Sequence, residues 1–352
     1  NQGAELGGFS HNTGEGGISE WHLQGGDLVW QVGTGYFGCR RKDGSFCGET
    51  FRQRAVNPAV KMIEIKLSQG AKPGHGGILP ASKVSDEIAR IRDVSVGQDV
   101  LSPPVHSAFS SPVELLEFIT ELRNLCGGKP VGFKLCLGER REFLAICKAM
   151  VETGLHPDFI TIDGAEGGTG AAPLEFSNSV GMPLNDGLAF VHSALLGIGM
   201  RDRVRLIASG KITTGFHLLS KIALGADLCN SARGMMFSLG CIQALKCNTN
   251  QCPTGIATQS SRLYRGLDVT DKAKRVSRFH EATVKSAVEL ASASGLSCTP
   301  EKLRWHIFRR TAQDRIQPLG ELYPCLEWGA LLQEPIPQSF QPLWSAADAR
   351  SF

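Results

Sequence analysis

Three cysteines stand at a spacing that invites metal chemistry: Cys241-x5-Cys247-x4-Cys252, the third running into Pro253. Thiolates are soft ligands that suit iron–sulfur clusters and zinc, and a Cys-Pro step recurs at cluster sites. A four-iron cluster ligated only by cysteine needs a fourth thiol, and none follows nearby. Three ligands suit a three-iron centre, or a tetrahedral zinc completed from elsewhere. Free cysteine is among the most buried residue types, so three unrelated core thiols are the plain alternative. Three thiols within twelve positions, closed by Cys-Pro, favour the cluster.

A second group of residues suits an anionic partner. Gly210-Lys211 and Arg233-Gly234 each follow a short apolar run. In parallel barrels the loops after the last two strands commonly bind phosphate through backbone N–H groups, and Lys211 or Arg233 could add charge. A phosphate-bearing partner beside a one-electron cluster is most economically FMN. Lys134 lies inside the apolar run VGFKLCL. A lysine there either faces the flavin edge or snorkels to the strand end. Lys66, Gln69, Lys72 and Arg92 form a set able to grip a dicarboxylate, although any one alone reads equally as a solvated surface charge. Glu15, in a glycine-rich loop, is a candidate proton relay. Residues 33–38 match G-x-G-x-x-G, but polar, turn-like residues follow where that motif needs a helix, so they read as a loop. His75, His106, His192 and His217 are scattered and read as structural.

The elements that must position these residues alternate. Strand-like apolar runs centre near residues 10, 28, 62, 131, 159, 204 and 227, and glycine-rich loops follow them. Helical spacing appears at 81–92, 112–126, 139–154, 184–199 and 214–224, with a helix end at 1–9 closed by Gly7-Gly8. Residues 99–111 read as a Pro-rich loop. This alternation predicts an α/β (β/α)8 TIM barrel with its functional loops at the C-terminal ends of the strands. Seven strands after a helix end imply that the first strand and helix lie upstream of Asn1. Residues 1–259 form the expected barrel domain. Residues 260–352 form a helical extension, with helices at 271–293 and 300–311.

The 352 residues can bury a large core, and a net charge of +3 is too mild to argue for nucleic acid. Eleven cysteines, an odd number with several inside apolar runs, point to a reducing, cytoplasmic setting rather than a disulfide framework. An upstream anchor is left open.

Taken together, NTGEGG (12–17), IKLSQGAKPGHGG (65–77), DGAEGGTGAAP (163–173) and the cysteine stretch 241–259 resemble the FMN-binding synthase domain of the glutamate synthase large subunit, and its stand-alone relatives in particular. The resemblance implies a [3Fe–4S] cluster on Cys241, Cys247 and Cys252. It implies flavin contacts at Gln31, Lys134, the 167–170 loop (Gly167, Gly168, Thr169, Gly170), Gly210 and Gly234. It implies 2-oxoglutarate near Lys66, Gln69, Lys72 and Arg92, with Glu15 as the motif glutamate. The implied reaction is reductive amination of 2-oxoglutarate, through 2-iminoglutarate, to L-glutamate. Electrons would come from ferredoxin or an NAD(P)H-oxidising subunit, and ammonia from a partner glutaminase or from solution.

This sequence departs from the resemblance at four places. His75 stands where Glu is usual, Ile78 where Gln is, Trp30 where Lys is and Lys211 where Gly is. Ile78 would leave an oxygen of 2-oxoglutarate unpaired unless another donor replaces the amide. Two alternatives follow: the same cofactors acting on another imino or amino acid, such as an N-substituted glutamate, or a non-catalytic electron-transfer subunit.

Overall fold

The computed structural model describes residues 1–295 and 300–352. Helix α1 (Gln2–Gly7) stops on Gly8 in the left-handed conformation, as the glycine pair predicts. Strands β1 (His11–Asn12) and β2 (Leu28–Val32), helix α2 (Gly48–Ala55) and strand β3 (Val60–Lys66) follow. Two short strands, β4 (Ile78–Leu79) and β5 (Val100–Leu101), flank α3 (Asp86–Arg92). Next come α4 (Pro112–Leu125), β6 (Val131–Leu135), α5 (Arg140–Thr153), β7 (Phe159–Asp163) and α6 (Leu184–Gly197). Strand β8 (Arg205–Ser209), α7 (Gly215–Ala223), β9 (Leu228–Asn230) and α8 (Arg233–Leu239) complete the alternation.

All seven expected strands form one sheet in the order β1-β2-β3-β6-β7-β8-β9, and every neighbouring pair is parallel. That sequential order is the stave order of a TIM barrel; a doubly wound sheet would switch direction. Among the described residues, β1 and β9 do not pair with each other, which leaves a seam where an eighth stave would stand.

Local chemistry explains where the helices lie. The Ser111 hydroxyl accepts from the Glu114 N–H at the start of α4, and Pro112 takes a first-turn position that needs no N–H. Leu115, Leu116, Ile119 and Leu122 then recur on one face and are wholly buried. Each such side chain contributes about 1.5–3 kcal/mol of burial. Thr214 caps α7 and Ser85 caps α3 in the same way. Strand β7 is buried along its whole length, as a strand covered on both faces must be.

Beyond the cysteine loop lie α9 (Ser261–Tyr264) and the long α10 (Val269–Ala293), which packs on α1, α7 and α8 beside the seam. The expected helix over 300–311 is corrected: α11 (Pro300–Leu303) is one turn, and β10 (Phe308–Ala312) pairs antiparallel with β11 (Arg315–Pro318). The polar pair Gln313-Asp314 makes the turn, and both strands are largely exposed. Short helices α12 (Leu319–Leu322) and α13 (Gln341–Ala346) follow. The loop expected over 99–111 contains β5, which pairs antiparallel with β4. Among the described residues, no helix is long and apolar enough to cross a membrane.

Candidate active site

Parallel register lines up the polar residues of otherwise apolar strands. Gln31 stands beside Glu64, Lys66 beside Lys134, Lys134 beside Thr161, and Asp163 beside Ser209. Burying these groups is costly unless each finds a partner. Glu64, 1% exposed, accepts from Asn12 Nδ2 at 2.8 Å, Gln31 Nε2 at 2.6 Å and Thr161 Oγ1 at 2.6 Å. Lys134 Nζ lies 3.2 Å from Asp163 Oδ2, which also accepts the Gly70 N–H at 2.8 Å. Asp163 Oδ1 accepts from Ser209 Oγ at 2.8 Å. Burial alone would lower the pKa of the Lys134 ammonium, but Asp163, Glu64 and Glu15 outweigh it and hold the group above its ordinary value. Lys134 thus pairs with Asp163, a partner that neither sequence reading of this lysine named.

The 68–77 loop closes over the mouth of the sheet. Glu15, Lys66, Gln69, Lys72 and His75 line one small pocket there, together with Thr34 and Pro103. Lys66 Nζ sits 2.9 Å from Glu15 Oε2 and 3.1 Å from Gln69 Oε1. Burial pushes the Glu15 carboxyl up, but Lys66, Arg92 and Lys72 prevail and hold it below its ordinary range. Lys72 is held below its ordinary value, first by burial and then by Lys66. The backbone of Lys66 is fixed from behind: its carbonyl accepts from His106 Nε2 at 2.9 Å, while His106 Nδ1 lies 3.0 Å from the Tyr36 hydroxyl. The carbonyl can only accept, so the ring proton is on Nε2. Arg92 is not in this pocket. It stacks over Phe37 at 4.8 Å and lines an adjoining cleft of about 490 Å³, which shares Glu15 with the pocket.

The loops after β8 and β9 present unused donors. The backbone N–H groups of Gly210, Lys211, Ile212, Ser231 and Ala232 reach no protein acceptor among the described residues. Orphan N–H groups beside a helix start form a cradle for phosphate oxygens. Lys211 is exposed and adopts a left-handed φ of 49°. Arg233 turns elsewhere: Nη2 donates to Gly168 O at 2.8 Å and Nη1 lies 3.4 Å from Cys241 Sγ.

The cysteine loop lies against this edge. A side chain at Gly170 would stand 2.9 Å from Cys247 Sγ, so the 167–170 loop must be bare there. Burial pushes the Cys252 thiol up, but bonds from the Thr254 side chain and from the Ala257, Thr254 and Ile256 N–H groups prevail and hold it below its ordinary value. Among the described residues, no three Cys, His, Asp or Glu side chains converge as a single metal ion would require. Cluster thiolates each bind a different iron and need no common point. Three thiols flanked by Arg233 and an N–H nest fit such a cluster in donor chemistry, and the orphan N–H cradle with the partly buried Lys134 fits FMN.

The structure therefore brings together Glu15, Lys66, Gln69 and Lys72, and separately Gly168, Gly170, Arg233, Cys241 and Cys247. Gln31 serves Glu64 inside the sheet. Trp30 is fully buried and stacked on Phe51 at 5.1 Å, between β2 and α2, so its departure from the resemblance does not bear on the pocket. Ile78 is 60% exposed and is not among the pocket's lining residues, whereas His75 is on the rim. Sequence reasoning missed Glu64, Asp163, Thr161 and Ser209. Their signal was a polar residue type inside or closing a buried apolar strand.

A sequential parallel sheet with a carboxylate–ammonium pocket, an N–H cradle and the cysteine loop all set in the loops that follow its strands defines a protein of the (β/α)-barrel class. Residues 1–297 match the conserved region in glutamate synthase, and the chain belongs to the glutamate synthase family. It is 44% identical over 317 residues to the glutamate synthase large subunit-like protein YerD of Bacillus subtilis, covering 90% of this chain and 60% of that protein. It is 34% identical to an archaeal glutamate synthase [NADPH] of Methanocaldococcus jannaschii, covering 88% of this chain and 56% of that one. The chain thus spans little more than half the length of these relatives. Among solved structures, a mandelate oxidase variant is similar at a TM-score of 0.47 and 15% identity, over 84% of this chain and 68% of that one.

Proposed function

We propose that this chain is the catalytic barrel of a glutamate synthase, converting 2-oxoglutarate, ammonia, two electrons and two protons to L-glutamate and water by way of 2-iminoglutarate. The observation that carries the reading is the convergence of Glu15, Lys66, Gln69 and Lys72 on one pocket. Lys66 and Lys72 supply the positive charge that a dicarboxylate needs, and Gln69 adds an amide donor. Glu15, ionised and 2.9 Å from Lys66, is placed to hold and return a proton at Oε2. The 68–77 loop, which supplies Gln69 and Lys72, is tied to Asp163 through the Gly70 N–H.

When bound, FMN would supply the electron pair for reduction of the imine and a [3Fe–4S] cluster would relay single electrons to it. Gly210, Lys211, Ala232 and Gly234 would hold the FMN phosphate, Lys134 and Gln31 would contact the flavin, and Cys241, Cys247 and Cys252 would hold the cluster. Electrons would come from ferredoxin or an NAD(P)H-oxidising partner, and ammonia from a glutaminase or from solution. The free thiols among the described residues suit a reducing, cytoplasmic setting.

His75 on the pocket rim favours one second reading, in which the same machinery takes another imino acid, such as an N-substituted glutamate. The test is turnover by the full-length reduced protein with ammonium and 2-oxoglutarate. Glutamate formation supports the first reading. Turnover of another imino acid with no glutamate supports the second, and electron transfer without any turnover would reduce the chain to a relay subunit.

A further inference from the structure

Lys83 ends the short 3₁₀ turn Ala81–Lys83 and continues the segment that carries Gln69, Lys72 and His75. Its ammonium donates to the carbonyl of Cys247 at 2.8 Å and, through a longer bond of 3.4 Å, to that of Ala257. These two carbonyls bracket the arc that contains Cys247 and Cys252. Among the described residues, no carboxylate lies within ion-pair distance of Lys83. No other hydrogen bond among the described residues joins the 241–259 loop to the 68–101 segment. Only two side chains outside that loop donate into it among the described residues, Arg233 to Cys241 and Lys83 to the 247–257 arc.

A half-buried lysine normally pairs with an acid. This one is spent on the carbonyls of a thiol-bearing loop, which leaves its charge without a carboxylate to neutralise it, among the described residues. We propose that Lys83 is a positioning residue for the iron–sulfur site: it pins the 247–257 arc against the substrate-binding segment and places an uncompensated positive charge beside two of the three thiolates. The inference rests on the cluster reading above. Its physical consequence is directional. Reducing a cluster adds negative charge, a nearby cation favours that state, and Lys83 therefore raises the reduction potential.

The experiment compares full-length, cofactor-loaded wild type with Lys83→Gln, which removes the charge, and Lys83→Arg, which keeps it. The readouts are the cluster potential from an EPR-monitored redox titration and the rate of iron loss to a chelator, with FMN content as the control for folding. Lys83→Gln is expected to shift the reduced-to-oxidised ratio about tenfold toward the oxidised form, a fall of ~59 mV for one electron. It is also expected to release iron faster at unchanged FMN content, while Lys83→Arg keeps a potential near that of wild type. A Lys83→Gln protein with wild-type potential and wild-type iron release overturns the inference and leaves the cluster reading standing. A wild type that contains FMN but no iron overturns both.

Discussion

Replacing Asp163 with alanine removes the partner of a mostly buried ammonium and two further hydrogen bonds at once. Asp163 is 4% exposed, and its carboxylate lies 3.2 Å from Lys134 Nζ. At an effective dielectric constant of about 20, opposite charges at that separation attract by roughly 5 kcal/mol before desolvation is counted. Breaking a buried pair by removing one partner costs about 3–5 kcal/mol, because the other charge is left stranded. Asp163→Asn is milder. Its amide oxygen can still accept from Lys134 and the Gly70 N–H, and the Ser209 hydroxyl can rotate to accept from the amide nitrogen. The loss is then the charge-assisted part, about 1.5–3 kcal/mol. The assay is urea denaturation of the full-length protein followed by far-UV circular dichroism. A second readout is the alkaline limb: the Lys134 pKa is raised in the folded state, so its stabilisation is complete below the ordinary 10.5 and lost as pH rises through the folded value. Asp163→Asn should shrink that loss. An Asp163→Ala protein within about 1 kcal/mol of wild type, well short of a broken buried pair, would refute the reasoning.

Two further predictions follow from the same geometry. Burial pushes the His106 imidazole down to about 4, so the folded state resists its protonation; stability should fall as pH drops from 6.5 toward 4, and His106→Gln should flatten that slope in denaturation midpoints. Gly170→Val would drive a side chain into Cys247 Sγ, 2.9 Å from the position of its first carbon, and should cut iron content severalfold at unchanged FMN content; equal iron would show that the two loops do not pack as described.

The strands were legible because each is an apolar run closed by a glycine-rich loop, a pattern that needs no tertiary information. Helices α4 and α7 were legible from helical spacing, and the structure adds the hydrogen bonds of the Ser111 and Thr214 caps. The hairpin of β10 and β11 was not legible. Leu303, Ile307 and Arg310 fall at helical spacing, while the true pairing is set by the turn at Gln313-Asp314 and leaves both strands largely exposed, with almost no burial to imprint on the sequence. Strands β4 and β5 are two residues each, too short for any period to show. In the site, Lys66, Gln69 and Lys72 were readable as a set from type and spacing, whereas Arg92, read with them, lines the adjoining cleft. The second layer behind them was not, because Glu64 and Asp163 matter only through partners that the sheet register brings from distant parts of the chain. Trp30 shows the converse: a conspicuous residue type whose side chain points into the helix layer and away from the chemistry.

The most direct test of the account is the absorption spectrum of the purified full-length protein, with iron and flavin quantified on the same sample. The account predicts a brown-yellow protein with one FMN and three irons per chain, whose iron is lost when Cys247 is replaced by serine while the FMN stays. A colourless protein, holding neither iron nor flavin after reconstitution, would contradict it.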